Sequence, residues 1–170
     1  MITVASGTNK AIETLRQQAA MVDTVLRLNV EGVTHEESLV QPSPAGNCLN
    51  WVVGHLVAIY ENVLPLLGQP TMPKDAMKRY DRGSPPIQDA AQARDFKELM
   101  TAWDESSKRF DAGLAALSPD IMDEPAPFSP TGDANETVRS LLTTICFHQT
   151  YHAGQAGVLR RIAGKDGAIQ

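Results

Sequence analysis

The sequence predicts an all-α fold, a four-helix bundle with one long crossover connection. Three observations lead to it. Four segments carry apolar residues at three- and four-residue steps. Proline- and glycine-rich stretches separate them. No alternating pattern of the kind a half-buried strand needs competes with them. With 170 residues the chain is long enough for a substantial core, and 1–170 is expected to form one domain.

The first helix is expected from about Asn9 to Val30, with Ile12, Leu15, Ala19, Val22, Val25 (or Leu26) and Asn29 along one face and Gly32 as its stop. Two prolines and a glycine in Gln41–Gly46 exclude regular helix there. Asn47 then reads as the N-cap of a second helix reaching about Leu67, where Gly68 and Pro70 end it. Pro65 should loosen its last turn.

Residues 69–88 form the longest connection, broken by Pro70, Pro73, Gly83, Pro85 and Pro86. Its length fits a crossover running along the bundle. A third helix is expected from about Asp89 to Leu117, facing inward with Phe96, Leu99, Met100, Trp103, Phe110 and Leu114. After a second proline-rich stretch, Asp133 and Glu136 read as a capping box opening a fourth helix that runs to about Ala163, with Gly164 as its stop.

A hydrophobic fraction of 42% and a charged fraction of 21% are ordinary for a soluble domain. A net charge of -5 with no basic run argues against a nucleic-acid partner. The most apolar stretch, Trp51 to Leu67, is interrupted by His55, Glu61 and Asn62, so no membrane span is expected. The opening Met1–Gly7 lacks the charged start and apolar stretch of a signal peptide. Two cysteines, Cys48 and Cys146, make no disulfide framework. The expected setting is the reducing cytoplasm.

The chemistry lies in misplaced polar residues. The inward stripe of the fourth helix reads Val138, Leu141, Ile145, His148, His152, Gln155 (or Ala156), Leu159 and Ile162. Two imidazoles one turn apart on an otherwise apolar face can converge on one centre. The second helix repeats the substitution, with His55 among Val52, Ile59, Asn62 and Leu66. A spaced pair alone fits two hydrogen-bonded core histidines as well as two ligands. A third inward histidine on another helix favours a shared metal, because burying three unpaired imidazoles costs a few kcal/mol each. His35, beside Glu36 and Glu37, reads as solvated.

Absent motifs narrow the chemistry. Residues 148–152 read His-Gln-Thr-Tyr-His, without the glutamate of the zinc-protease motif. No Glu-x-x-His pair supports a di-iron centre. Phosphate-binding glycine loops are also missing.

At Asn50-Trp51-Val52-Val53-Gly54-His55-Leu56, at His148-Gln149-Thr150-Tyr151-His152-Ala153-Gly154-Gln155, and in the tail from Leu159 to Ile169, the chain resembles the DinB-like (DinB/YfiT) family of bacterial four-helix-bundle metalloproteins. The resemblance spans nearly the whole length and implies a mononuclear metal site on His55, His148 and His152. Family members with known activity include thiol-dependent S-transferases and a mycothiol-dependent maleylpyruvate isomerase, while many others have no assigned activity. A homodimer is a further expectation from the family, though no exposed heptad supports it.

Three neutral imidazoles leave a divalent ion at least one open position. The leading expectation is therefore a metal-dependent thiol S-transferase acting on a small-molecule substrate with a low-molecular-weight thiol. The alternatives are a metal-dependent hydrolase or isomerase, and a metal-binding stress-associated protein without turnover. Zinc is the first expectation for the ion and nickel the second, since neutral imidazole suits several metals. Glu61, about 120° around the helix from His55, is a poor general base. Asn62 and Gln155 are the candidates to contact substrate or support a ligand. Tyr151 is expected at a helix interface. Cys48 and Cys146 are expected as buried thiols, and Trp51 and Trp103 as packing residues.

Overall fold

The computed structural model describes residues 3–169, with side chains described from Lys10 onward. Met1 and Ile2, which open the stretch read for a leader, lie outside the described residues. Five α-helices follow in order: α1 (Thr3–Val30), α2 (His35–Ser38), α3 (Leu49–Val63), α4 (Phe96–Ala116) and α5 (Val138–Ile162). Among the described residues the only β-pairing is an isolated bridge between Pro125 and Thr137. The long helices are the four that periodicity predicts.

Helix α1 starts earlier than its periodicity does, because the apolar stripe that marks it begins only at Ile12. It stops as expected at Gly32, whose φ of 68° is left-handed. The one-turn α2 is closed by a capping box between Thr34 and Glu37. His35 on it is half-buried, and its Nδ1 is buried without a partner, so the expected solvated histidine is corrected.

Helix α3 begins one residue later than expected. Cys48 is its N-cap, and the Asn47 side-chain oxygen makes no capping bond. Beyond Val63 the chain tightens into a 3-10 turn, Leu64–Leu67, as Pro65 requires. Nearly all of α3 is buried, which explains why its apolar pattern is close to continuous.

The two later starts are also displaced, and for one reason. Asp89 caps only a short 3-10 turn, while Asp95 caps α4 by accepting from the Lys97 and Glu98 amides. Helix α5 is capped by Thr137, which accepts from Ser140. Glu136 instead accepts from Ser129 and Ser140 and holds the preceding loop. Each linker carries more than one residue able to cap, and sequence alone does not rank them.

Side-chain pairs fix the topology. Asp23 accepts from Trp103 at 2.7 Å and Arg16 pairs with Asp111, so α1 and α4 are antiparallel. Asn29 donates to the Ala153 carbonyl, and Cys146 lies against the Leu15 carbonyl, so α1 and α5 are parallel. Asn50 donates to the Arg94 carbonyl and Glu61 pairs with Arg109, which makes α3 and α4 parallel. Two sequential parallel helices need a connection that returns the length of the bundle. The segment from Leu64 to Asp95 is that crossover, and it buries Met77, Tyr80 and Ile87 against the bundle.

The core between α3 and α4 is aromatic. Tyr60 stacks on Phe110 at 4.4 Å and on Trp103 at 5.1 Å between ring centres. Such pairs add about 0.5–1.5 kcal/mol each beyond burial. Removing a ring of this size would cost about 3–5 kcal/mol.

Candidate metal centre

Helix α5 turns its fully buried edge toward α1 and α3 through Leu141, Leu142, Gln149, Ala153 and Ala156. His148 and His152 stand beside that edge and are half-buried, a rotation from the core positions expected of them. Ile162, expected on the same stripe, is exposed. His55 on α3 is buried and faces both histidines. Its ring centre is 5.1 Å from that of His148 and 5.2 Å from that of His152, and the two α5 rings are 4.5 Å apart. One ring nitrogen from each residue lies within 4.8 Å of the others.

The outward ring nitrogens decide what the inward ones can do. His55 Nδ1 lies 2.7 Å from the Tyr80 carbonyl, an acceptor only, so Nδ1 carries the proton. Gln149 Nε2 donates to the Leu56 carbonyl at 3.0 Å, which fixes the amide and leaves its Oε1 facing His148 Nδ1 at 3.3 Å. His148 Nδ1 is therefore a donor as well. His152 Nδ1 pairs with Gln155 Oε1 at 2.7 Å in the same sense. All three Nε2 atoms are then left with lone pairs.

Two of those lone pairs, on His55 and His148, face each other at 3.2 Å. Facing lone pairs repel unless a cation lies between them. Nitrogens sharing a tetrahedral zinc ion lie about 3.3 Å apart, given metal–nitrogen bonds of ~2.0–2.1 Å. The donor set thus fits a divalent ion, and the bonded Nδ1 atoms are the supports that metal-ligating histidines use.

Electrostatics agree. Burial, with the neighbouring charges of His152 and His55, pushes His148 down to about 4. Burial lowers His55 and His152 too, opposed by the Tyr80 carbonyl and Gln155. The cluster is held neutral, the form in which imidazole binds metals.

Local sequence explains the orientation. Gly54 has no Cβ, and one built there would run into the Tyr80 ring. That gap lets the crossover lie on α3 and bring the Tyr80 carbonyl to His55. The Tyr80 hydroxyl donates to Asn50 Oδ1 and accepts from the Arg94 amide, fastening the strap at both ends. Trp51 stacks on the other side of His55 at 4.6 Å.

A cavity of about 990 Å³ opens over the histidines, walled by Ile59, Val63, Phe128, Ile145, Phe147 and Tyr151. Asn62 is exposed on its rim, and Gln155 supports His152 directly. Tyr151, expected at a helix interface, is 63% exposed and forms part of the cavity wall. Glu61 is bound by Arg109 at 2.6 Å and by the Met72 amide, and is turned away from this cavity. Cys48 and Cys146 are buried free thiols, and burial pushes Cys146 up to about 12. Residues 10–156 match the sequence profile of the DinB superfamily.

The chain belongs to the DinB superfamily.

A crystal structure of a conserved protein from Enterococcus faecalis shares the fold, with a TM-score of 0.61 and 16% identity over 93% of this chain and 98% of that one. No curated protein matches the sequence. No helix among the described residues is long and apolar enough to cross a membrane. Three residues of this DinB chain went unread in its sequence. Tyr80 acts through its backbone, which leaves no side-chain signature. Gln149 was visible as a glutamine beside a histidine, one position off the assumed stripe. Arg82, which also lines the cavity, lies in the crossover, where no periodicity gives it a side.

Proposed function

We propose that this DinB-superfamily protein binds one divalent ion, zinc first and nickel second, on His55, His148 and His152, and joins a low-molecular-weight thiol to a small electrophile. The observation that carries the reading is the set of three Nε2 lone pairs, converging at the floor of a cavity large enough for a small molecule. A divalent ion held there supplies a Lewis acid that lowers the pKa of a thiol or a water.

The chain's own residues prepare the site. Tyr80, Gln149 and Gln155 hold the Nδ1 protons outward, so each ring presents the same nitrogen to the centre. Trp51 and the buried faces of α3 and α5 exclude water from behind the rings. The apolar walls bury the body of a substrate.

Thiol transfer is favoured over hydrolysis because no carboxylate lines the cavity to act as a general base, and Glu61 is committed to Arg109. An open cavity favours turnover over metal storage in an occluded site. Metal-loaded protein incubated with bacillithiol, mycothiol or glutathione and monochlorobimane tests the reading. Metal-dependent conjugation with one of these thiols is expected, and its absence with every thiol would overturn the transferase assignment.

A further inference from the structure

The cavity over the histidines has an uneven charge. Its lining contains no aspartate or glutamate, and beside the neutral histidines Arg82 is its one charged side chain. Arg82 lies two residues after Tyr80, on the strap that orients His55, so the fold that positions the ligand also positions the guanidinium. One of its nitrogens, Nη1, donates to the Pro130 carbonyl at 2.9 Å, anchoring the side chain to the loop that carries Phe128. Arg82 is exposed at the mouth of the cavity and, like Arg79 and Arg94, makes no ion pair among the described residues, but of these three it alone lines the cavity.

An arginine presents five N–H donors in a planar fork suited to a carboxylate. Here one nitrogen is used, and no carboxylate lies within ion-pair distance of the guanidinium among the described residues. The remaining walls are aromatic and aliphatic. A ligand that satisfies this space brings an apolar body and its own anion.

We propose that Arg82 recognises the carboxylate of a small, apolar-bodied molecule lying over the histidine cluster. This deepens the functional reading and rests on that cavity being the substrate site. It names the substrate class, an aryl- or alkyl-bearing carboxylate, and makes Arg82 its specificity residue.

Calorimetric titration of 4-phenylbutyrate and its neutral amide, 4-phenylbutyramide, tests the assignment. The protein is used both metal-stripped and zinc-loaded, as wild type, Arg82→Gln and Arg82→Lys. On the metal-stripped wild type the carboxylate should bind about tenfold more tightly than the amide, the scale of one charge-assisted pair. Arg82→Gln should erase that preference and leave amide binding unchanged, while Arg82→Lys keeps part of it. Equal affinities on wild type, a preference that survives Arg82→Gln, or no binding of either probe would each overturn the proposal. Zinc stoichiometry measured on the same samples reports separately on the metal reading. Loss of the carboxylate preference with zinc still bound would sink only the arginine assignment. An intact preference in protein that takes up no zinc would sink only the metal site.

Discussion

The ring of His55 is held by the backbone of Tyr80, whose carbonyl oxygen lies 2.7 Å from Nδ1. A residue in the middle of a helix is thus oriented by a connection that passes over it. The contact exists because Gly54 leaves room for the Tyr80 ring. The crossover is therefore part of the candidate metal centre, and disturbing it should be felt in the affinity for a divalent ion.

Gly54→Ala tests that link. The added methyl displaces Tyr80, which should cost about 1–3 kcal/mol of stability by overpacking. It should also weaken zinc binding by about 10–100-fold through loss of the His55 support. Gly154→Ala, where nothing lies within 4 Å of the new methyl, is the control. It should stabilise the helix by about 0.5–1 kcal/mol and leave zinc affinity unchanged. Chemical denaturation and competitive zinc titration read both effects.

Gln149→Leu keeps the buried volume but leaves the Leu56 carbonyl and His148 Nδ1 without their partner. The expected loss is about 1–3 kcal/mol of stability. Zinc affinity should fall by about 10–100-fold, since the His148 tautomer is no longer held. An affinity equal to wild type would show that Gln149 only packs.

Acid should destabilise the metal-free protein before its carboxylates matter. His148 is pushed down to about 4 in the folded state, and His55 and His152 are lowered too. The unfolded chain, with ordinary histidines, binds more protons than the folded one across that interval. The stabilisation is full above the ordinary value near 6.5 and is lost as pH falls toward 4. Thermal melts of metal-free protein should drop through that window, and the slope should be shallower in His148→Ala. A flat profile would contradict the neutral cluster.

Glu61→Gln separates structure from chemistry at the carboxylate nearest to α3's histidine in sequence. Glu61 is nearly buried, while the Arg109 side chain is 21% exposed, so its release should cost less than the ~3–5 kcal/mol of a fully buried pair. The variant should unfold at lower denaturant yet bind zinc like wild type. A selective loss of turnover with stability intact would instead restore Glu61 as a candidate base.

Much of this was legible in the sequence because the signals were periodic. Apolar spacing marks the long helices, and three histidines break it on two of them. The boundaries were less legible, since Asp89 and Asp95, or Asp133 and Thr137, offer competing caps within a few residues. The supports of the histidines divide by chemistry. Gln155 was readable one turn past His152. Tyr80 was not, because its contribution is a carbonyl delivered by tertiary packing from an irregular segment. The exact face of α5 also escaped reading. Gln149 occupies the fully buried position, and the two histidines sit beside it at the cavity floor.

The most direct test of the three-histidine centre is elemental analysis of protein purified without a metal-affinity column. Wild type is expected to carry one divalent ion per chain, and His55→Ala, His148→Ala and His152→Ala are each expected to lose it. Stoichiometric metal retained in all three variants would contradict the centre described above.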